Sequence, residues 1–186
     1  ITYPTGALET AQVNNIGKIT SYTSPAGYTT GLEYDAAWHL RRLVPPASFN
    51  PTVLVFSKTA VAAYGIAAGN WKLTVDKGRA RTETFFDTLW RPLLTRTFDR
   101  DAEAATLKAV VKRYDVAGRL AFESYPLSNV SDVAATSIPG RLMRYDALGR
   151  QLSVTVDSEL GKLETRTTPL TQDFGVAVRK PNGNVS

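Results

Sequence analysis

The sequence predicts an all-β fold, an array of antiparallel β-hairpins with little helix, and three observations predict it. The phrase Arg-Tyr-Asp-Val-Ala-Gly-Arg at 113–119 recurs as Arg-Tyr-Asp-Ala-Leu-Gly-Arg at 144–150, and looser copies lie at 34–40 and 86–91. The two better copies are followed by residues that alternate between apolar and polar, as half-buried strands do. The chain also has 13 Gly and 10 Pro, which separate short runs, and this pattern is typical of hairpin repeats.

A second repeat relates residues 1–21 to residues 22–42. Each unit has a Pro-x-Gly turn and, eight residues after its Gly, an amide or acid side chain: Asn14 in the first unit and Asp35 in the second. We therefore expect two repeat units in residues 1–43. The Pro-Gly pair at 139–140 resembles a shortened opening of such a unit, and Pro-Asn-Gly at 181–183 resembles another opening.

The chemistry of the repeated phrase is that of a turn between two strands. An Asp or Asn side chain accepts hydrogen bonds from backbone N–H groups that follow it, and a Gly three residues later tolerates the positive φ of a type I turn with a G1 bulge. The preceding Tyr has a high β propensity. The predicted repeat-turn residues are Asn14, Gly17, Tyr34, Asp35, Asp87, Tyr114, Asp115, Gly118, Arg119, Tyr145, Asp146, Gly149 and Arg150.

Two copies of the phrase carry Trp38 and Trp90 where the better copies have Gly. A bulky side chain is strained at positive φ, so we expect these two turns to differ in geometry or length. Two interpretations of Trp38, Trp71 and Trp90 are open: packing over neighbouring hairpins, or an exposed platform on which a glycan stacks. Burial of all three favours packing, whereas two or more exposed, coplanar rings favour glycan binding.

Residues 44–70 interrupt the repeat. The Pro-rich stretch at 45–51 predicts a linker, the apolar run at 53–56 a buried strand, and residues 60–69 either a short helix or an irregular loop. Residues 71–186 are expected to hold further repeat units, with a degenerate one at 75–79 and one or two helical turns at 100–106. From the length and a period of about 21–31 residues we expect about seven hairpin-sized units.

Composition excludes several functional classes. The chain has no Cys and a single His, which removes disulfides, thiolate metal sites and multi-histidine centres, so we expect no metal and no cofactor. The net charge is +5 but the basic residues are scattered, whereas nucleic-acid binding requires a concentrated basic face. No apolar run approaches the ~20 residues of a membrane span. We therefore expect neither a nucleic-acid partner nor a membrane-spanning segment.

One acidic group is the only candidate for catalysis. Asp99, Asp101 and Glu103 are close in sequence, and paired carboxylates can perform general acid and base catalysis on a sugar. The same residues begin the predicted helical turns, where acidic side chains stabilise a helix start. An enzyme would require Asp99 or Asp101 to face another carboxylate across a cleft. We do not expect an enzyme.

The phrase Arg-Tyr-Asp-x-x-Gly-Arg followed by an apolar alternation resembles the YD repeat of Rhs-type proteins. The Pro-x-Gly turns and the 21-residue spacing from Asn14 to Asp35 agree with that resemblance, which covers about three quarters of the chain and not residues 44–70. It implies a sheet that winds as a spiral into a hollow shell. In bacterial Rhs proteins, and in the B and C components of insecticidal toxin complexes, such a shell encloses a toxic segment, and in teneurins it serves adhesion.

Under this resemblance the chain is expected to be a fragment of one YD-repeat region and an arc of the shell wall. Its expected partners are the remainder of the shell and an enclosed toxin or effector domain, and its expected location is outside the cell or at a cell surface. The alternative function is a carbohydrate- or cell-surface-binding module. Open sheet edges also predict self-association of the isolated chain.

Overall fold

The computed structural model describes residues 3–159 apart from 5 and 7, residues 161–169, and residues 176–181. Its strands form one antiparallel sheet in which every strand pairs with the strands next to it in sequence. The predicted all-β hairpin array is thereby confirmed. The elements are β1 (Thr10–Val13), β2 (Ile19–Thr23), β3 (Thr29–Tyr34), β4 (Leu40–Val44), β5 (Thr52–Lys58), β6 (Trp71–Lys77), β7 (Ala80–Phe86), β8 (Pro92–Asp99), α1 (Glu103–Thr106), β9 (Lys108–Tyr114), β10 (Leu120–Ser124), β11 (Gly140–Tyr145), β12 (Gln151–Ser158), β13 (Gly161–Pro169) and β14 (Val176–Arg179).

In this meander the connections form two groups, one at each end of the strands. Because successive strands run in opposite directions, every connection that leaves an odd-numbered strand lies at one end of the sheet, and every other connection lies at the opposite end. The connections after β1, β3, β7, β9 and β11 contain the Asn or Asp of the repeated phrase. We call these five connections the turn row. The connection after β5, residues 59–70, lies at the same end without that phrase.

The core lies on one face of the middle of the sheet, over β7 to β10. Two long connections, residues 59–70 and 125–139, cover this face, and the backbone N–H of Val133 in the second donates to the carbonyl of Tyr64 in the first at 2.9 Å. Burying these side chains is the main favourable contribution to folding. The core cluster consists of Ile66, Phe85, Leu94, Ala109, Val111, Phe122, Val130 and Val133.

A buried ion network closes one side of this core. Glu83 and Arg96 are both 8% exposed and lie opposite each other on β7 and β8, with 2.6 Å between Nη1 of Arg96 and Oε2 of Glu83. Lys72 approaches the other oxygen of Glu83 at 3.3 Å, and Arg96 also binds Glu103 of α1. The short helix predicted near residue 103 is therefore attached to the sheet by an ion pair.

Of the two alternatives for residues 60–69 the irregular loop is confirmed, since they form turns with an isolated bridge. Three other local predictions differ from the structure. The run at 53–56 is a strand, but Val53 and Val55 are exposed rather than buried. Gly140 begins β11 and packs against β10 instead of forming a turn. The supposed unit at 75–79 is the tight β6–β7 connection at the opposite end, where Asp76 binds Arg81 instead of closing a repeat turn.

The sheet passes through residues 44–70 without a break, since β5 pairs with both β4 and β6. The division into units at 1–43, 44–70 and 71–186 stays a prediction. The predicted Pro-Asn-Gly opening at 181–183 lies outside the described residues after 181.

Candidate functional site

The turn at Asp115 shows how the repeated phrase reverses the chain. The N–H of Asp115 donates to the carbonyl of Arg119 at 2.9 Å, and the N–H of Gly118, whose φ is +81°, donates to the carbonyl of Asp115 at 2.9 Å. The carboxylate oxygen Oδ1 accepts from the N–H groups of Ala117 at 3.0 Å and Arg119 at 2.9 Å. The second oxygen, Oδ2, accepts from Nε of Arg119 at 2.7 Å. One Asp thus holds both the turn and the Arg that follows it.

The other four turns of the row repeat this backbone pattern. In each of them the first residue bonds the fifth, the fourth bonds the first, and the strand pairing shifts register beside the turn, as a bulge requires. Asp87 and Asp146 also bind the Arg four positions later, while Asn14 keeps the two backbone bonds without an Arg. The first residues of these four turns are Asn14, Asp35, Asp87 and Asp146.

These hydrogen bonds hold the pKa of the turn aspartates below its ordinary value. At Asp35 and Asp115 the backbone N–H of the residue four positions later lowers the pKa most. At Asp146 the side chain of Arg150 does so. Burial of Asp87 acts in the opposite direction and is the largest single influence there, but hydrogen bonds from Arg91 and Leu89 together outweigh it. The turn carboxylates are therefore ionised at neutral pH.

The two turns with Trp adopt the same geometry as the turns with Gly, so the prediction that they differ was wrong. Trp38 has φ +63° and Trp90 has φ +64°, and each donates its N–H to the Asp three residues before it. The left-handed backbone costs a side-chain-bearing residue roughly 1–2 kcal/mol. Contacts of the indole rings offset this cost. The ring centroids of Trp38 and Tyr34 are 6.5 Å apart, and Trp90 belongs to a larger cluster of rings.

A tyrosine connects each of three turns to the turn before it. The hydroxyl donates to the backbone carbonyl of the first residue of the preceding strand, which is the fifth residue after the previous turn's Asn or Asp. The donor and acceptor atoms are 2.8–3.1 Å apart. The pairs are Tyr34 with Ile19, Tyr114 with Pro92 and Tyr145 with Leu120.

A cation of the earlier turn lies over the same tyrosine. The guanidinium carbon of Arg91 is 4.5 Å from the ring centroid of Tyr114, and that of Arg119 is 4.8 Å from Tyr145. Arg119 also donates through Nη1 to the carbonyl of Asp146 at 2.8 Å. Because these Arg side chains are themselves held by the Asp of their own turn, consecutive turns are interlocked.

Aromatic rings replace the Tyr–Arg link where the row is interrupted after β5. The ring centroids of Phe56, Trp71 and Trp90 lie 5.2–5.3 Å from one another, and Phe86 lies 6.1–6.2 Å from Phe56 and Trp90. His39 of the preceding turn stacks on Phe56 at 6.2 Å. We call Phe56, Trp71, Phe86 and Trp90 the aromatic cluster. It joins the Asp35 turn to the Asp87 turn across the interruption.

The three Trp residues are not all buried, as the packing interpretation would require. Trp38 is 45% and Trp90 52% exposed, so they are not buried. Trp71 is half-buried, and its ring faces that of Trp90 with 21° between the planes. Because the rings of Trp71 and Trp90 are stacked, they do not lie side by side in the flat platform that a glycan would need. Trp90 is the most exposed member of the aromatic cluster.

The acidic group considered for catalysis is engaged by arginines. Asp99 and Asp101 both approach Nε of Arg79, at 3.3 Å and 2.9 Å, and Glu103 binds Arg96. No contact among the described residues places either Asp across a cleft from a second carboxylate. In the described ranges no helix is long and apolar enough to cross a membrane, and no three His, Asp or Glu side chains lie close enough together to hold a metal ion.

Sequence reasoning missed three participants in this row. Phe86 precedes Asp87 as Tyr precedes Asp in the better copies, and Arg91 follows it at the position of Arg119, so alignment of the copies contains the signal for both. Phe56 belongs to no copy of the phrase. Its role depends on the strand register that places it beside Trp71 and Trp90, and no local pattern indicates that.

No family model and no curated protein matches the chain. Among solved structures, a chain of the Tc holotoxin pore of Photorhabdus luminescens, in a form with a mutation in TccC3, is similar over 95% of this chain, with a TM-score of 0.59 and 17% identity. The match covers only 9% of that chain's length. The resemblance to toxin-complex proteins that the sequence indicates is thus confirmed at the level of the fold.

Proposed function

We propose that this chain is an arc of wall in a shell of the Rhs/YD-repeat kind, and that the shell encloses a toxin or effector polypeptide. In this proposal the chain has a structural role and no catalytic one. Its partners are further repeat units of the same wall and the enclosed polypeptide. The shell acts outside the cell that makes it or at a cell surface.

The observation that carries the proposal is the interlocked turn row. A wall around a cargo has to keep its curvature and leave no gaps between hairpins. Asp87 and Asp115 each hold an Arg that lies over the Tyr of the next turn, as Arg119 lies over Tyr145. Such a device can be extended by any number of units, because the chemistry of each link is contained in one phrase.

The fold comparison supports the same proposal. The similar structure belongs to a toxin complex, and its chain is about ten times longer than the matched portion, which covers 9% of it. A segment of 186 residues is a small part of any shell of that size. The cargo, the shell and the location outside the cell are carried over from that likeness as proposals.

The experiment is electron cryomicroscopy of the complete polypeptide encoded by the gene, combined with protease protection. The proposal predicts a hollow particle with this sheet in its wall, and a second, enclosed segment that resists protease until the particle is opened by denaturant. A compact particle without a cavity, in which every segment is cleaved at the same rate, would contradict it.

Carbohydrate binding is the second candidate, and the exposure of the Trp90 indole favours it. An indole that is 52% exposed and rigidly supported by Phe56 and Trp71 suits stacking against one sugar ring. A glycan array probed with the chain and with Trp90→Ala tests this candidate. Binding of a defined glycan that the variant loses supports it, and absence of any glycan binding rejects it.

A further inference from the structure

The face of the sheet that carries the core continues past the covering connections into an open groove of about 650 Å³. Strands β10 to β13 form its floor, and the end of the 125–139 connection forms one wall. Phe122, Ile138 and Leu142 supply an apolar strip in this groove. Charged side chains border the strip, and the positive ones outnumber the negative ones.

Arg113 is the most unusual of these charged groups. Its guanidinium carbon lies 3.9 Å from the ring centroid of Phe122, and Nη1 donates to the carbonyls of Ala134 and Ala135, both at 3.3 Å. Its Nε is buried and has no hydrogen-bond partner among the residues that the structure describes. No carboxylate among the described residues forms an ion pair with it. A partly buried cation in this position gains from a nearby anion.

The other charges of the groove do not supply that anion. Arg144 and Lys162 also line it. Arg144 is near enough to Glu164 to help lower the pKa of that carboxyl, and Lys162 lies opposite Asp157 on the neighbouring strand, but neither cation forms an ion pair within 4 Å with a described carboxylate. The two acids are already occupied: Oδ2 of Asp157 accepts from the N–H of Gly140 at 2.8 Å, and Glu164 binds Nε of Arg166 at 2.9 Å. With four cations and two carboxylates in its lining, the groove has an excess of two positive charges.

Burial lowers the pKa of Arg113, which agrees with an incompletely compensated charge. Arg nevertheless remains protonated at any physiological pH. The guanidinium therefore stays a fixed positive group beside the groove.

We propose that this groove binds an extended polypeptide segment through carboxylate side chains, which pair with Arg113 and Arg144 while apolar side chains of the segment cover Phe122 and Leu142. Guanidinium groups match carboxylates in geometry as well as in charge. The apolar strip favours a polypeptide over an acidic glycan, since a glycan has no aliphatic side chains to place there. This inference depends on the chemistry of the groove and not on the proposed shell.

The test is fluorescence anisotropy of a labelled nine-residue peptide with alternating Glu and Leu, titrated with the full chain at low salt. A peptide with Gln at each Glu position is the matched probe. We expect the Glu peptide to bind, the Gln peptide to bind at least tenfold more weakly, and binding of the Glu peptide to weaken as salt is added.

Three variants locate the site. Arg113→Gln and Arg144→Gln should each weaken binding of the Glu peptide about tenfold, which corresponds to one charge-assisted pair. Arg144 is exposed and forms no described hydrogen bond, so its variant remains informative if loss of Arg113 disturbs the 125–139 connection. Arg41→Gln removes the same charge from exposed β4 and should leave the affinity unchanged.

Three results would overturn the proposal. Equal binding of the Glu and Gln peptides would show that carboxylates do not matter. Equal weakening by Arg41→Gln and Arg144→Gln would show attraction to net charge without a site. Tighter binding of an oligogalacturonate than of the Glu peptide would assign the groove to an acidic glycan instead.

Discussion

The hydroxyl of Tyr145 donates a hydrogen bond to the backbone carbonyl of Leu120 at 2.9 Å. Tyr145 ends β11 just before one turn of the row, and Leu120 begins β10 just after the previous turn. The bond therefore joins two turns that are 31 residues apart in sequence, from Asp115 to Asp146. Together with Arg119, which lies over the same ring, it makes each turn a support for the next.

The two functions of a turn aspartate can be separated at Asp87. Asp87→Ala removes Oδ1, which accepts hydrogen bonds from two backbone N–H groups, and Oδ2, which accepts from Nε of Arg91. We expect the free energy of unfolding to fall by about 2 kcal/mol, at roughly 1 kcal/mol for each backbone bond. Asp87→Asn should cost less, because Asn14 makes the same two backbone bonds in its own turn. Urea denaturation of both variants measures the difference. Equal losses would contradict a role for the side-chain oxygen in closing the turn.

The left-handed tryptophans give a second comparison. Trp38→Gly and Trp90→Gly relieve the same backbone strain, so the difference between them reports the contacts of the two rings. Trp90 loses its contacts with Phe56, Trp71 and Phe86, whereas Trp38 loses one with Tyr34. At about 1 kcal/mol for each aromatic pair, Trp90→Gly should be less stable than Trp38→Gly by about 2 kcal/mol. If thermal and urea unfolding gave the two variants equal stability, the aromatic cluster would have no energetic role.

Gly140 is required by the close approach of β10 to β11. A Cβ on Gly140 would lie 2.7 Å from Cα of Ser124 and 2.8 Å from Cζ of Phe122, so Gly140→Ala should destabilise the chain by about 3 kcal/mol through overpacking. Gly31→Ala is the matched control, since its new Cβ would meet only Val44 at 3.5 Å. Differential scanning calorimetry should show a much lower Tm for the first variant. A similar Tm for both would mean that β10 and β11 are not packed as described.

Stability should fall as the solution becomes acidic. The pKa values of Asp35, Asp87, Asp115 and Asp146 are lowered in the folded chain, while unfolded Asp has a pKa of about 3.9. Their contribution to stability is therefore complete above that pKa and is lost as the pH falls through the folded values. Tm measured from pH 7 downward should be level to about pH 5 and then decline. The Tm of the Asp146→Asn variant should decline less steeply. A Tm that rose on acidification would contradict this explanation.

The parts of this fold that the sequence predicts are those whose chemistry is local. Five residues suffice to close the turn at Asp115 or Asp146, and they are adjacent in the chain. The geometry of Trp90 could not be predicted in this way, because the rings that offset its strain, Phe56 and Trp71, lie on other strands. The core is non-local as well: the connection at 59–70 becomes a cover only when Val133 of a distant connection pairs with Tyr64. The groove beside Arg113 is lined by residues of five strands and one connection, and it leaves no pattern in the sequence.

Energetic coupling between adjacent turns is the central claim, and a double-mutant cycle between Arg119 and Tyr145 measures it most directly. Arg119→Gln and Tyr145→Leu are made singly and together, and free energies of unfolding are obtained in urea. The account predicts a coupling of about 1 kcal/mol, with additive effects for the distant control pair Arg119→Gln and Tyr34→Leu. If the effects of Arg119→Gln and Tyr145→Leu on the free energy of unfolding were also additive, the claim would be contradicted, because adjacent turns would then not stabilise one another.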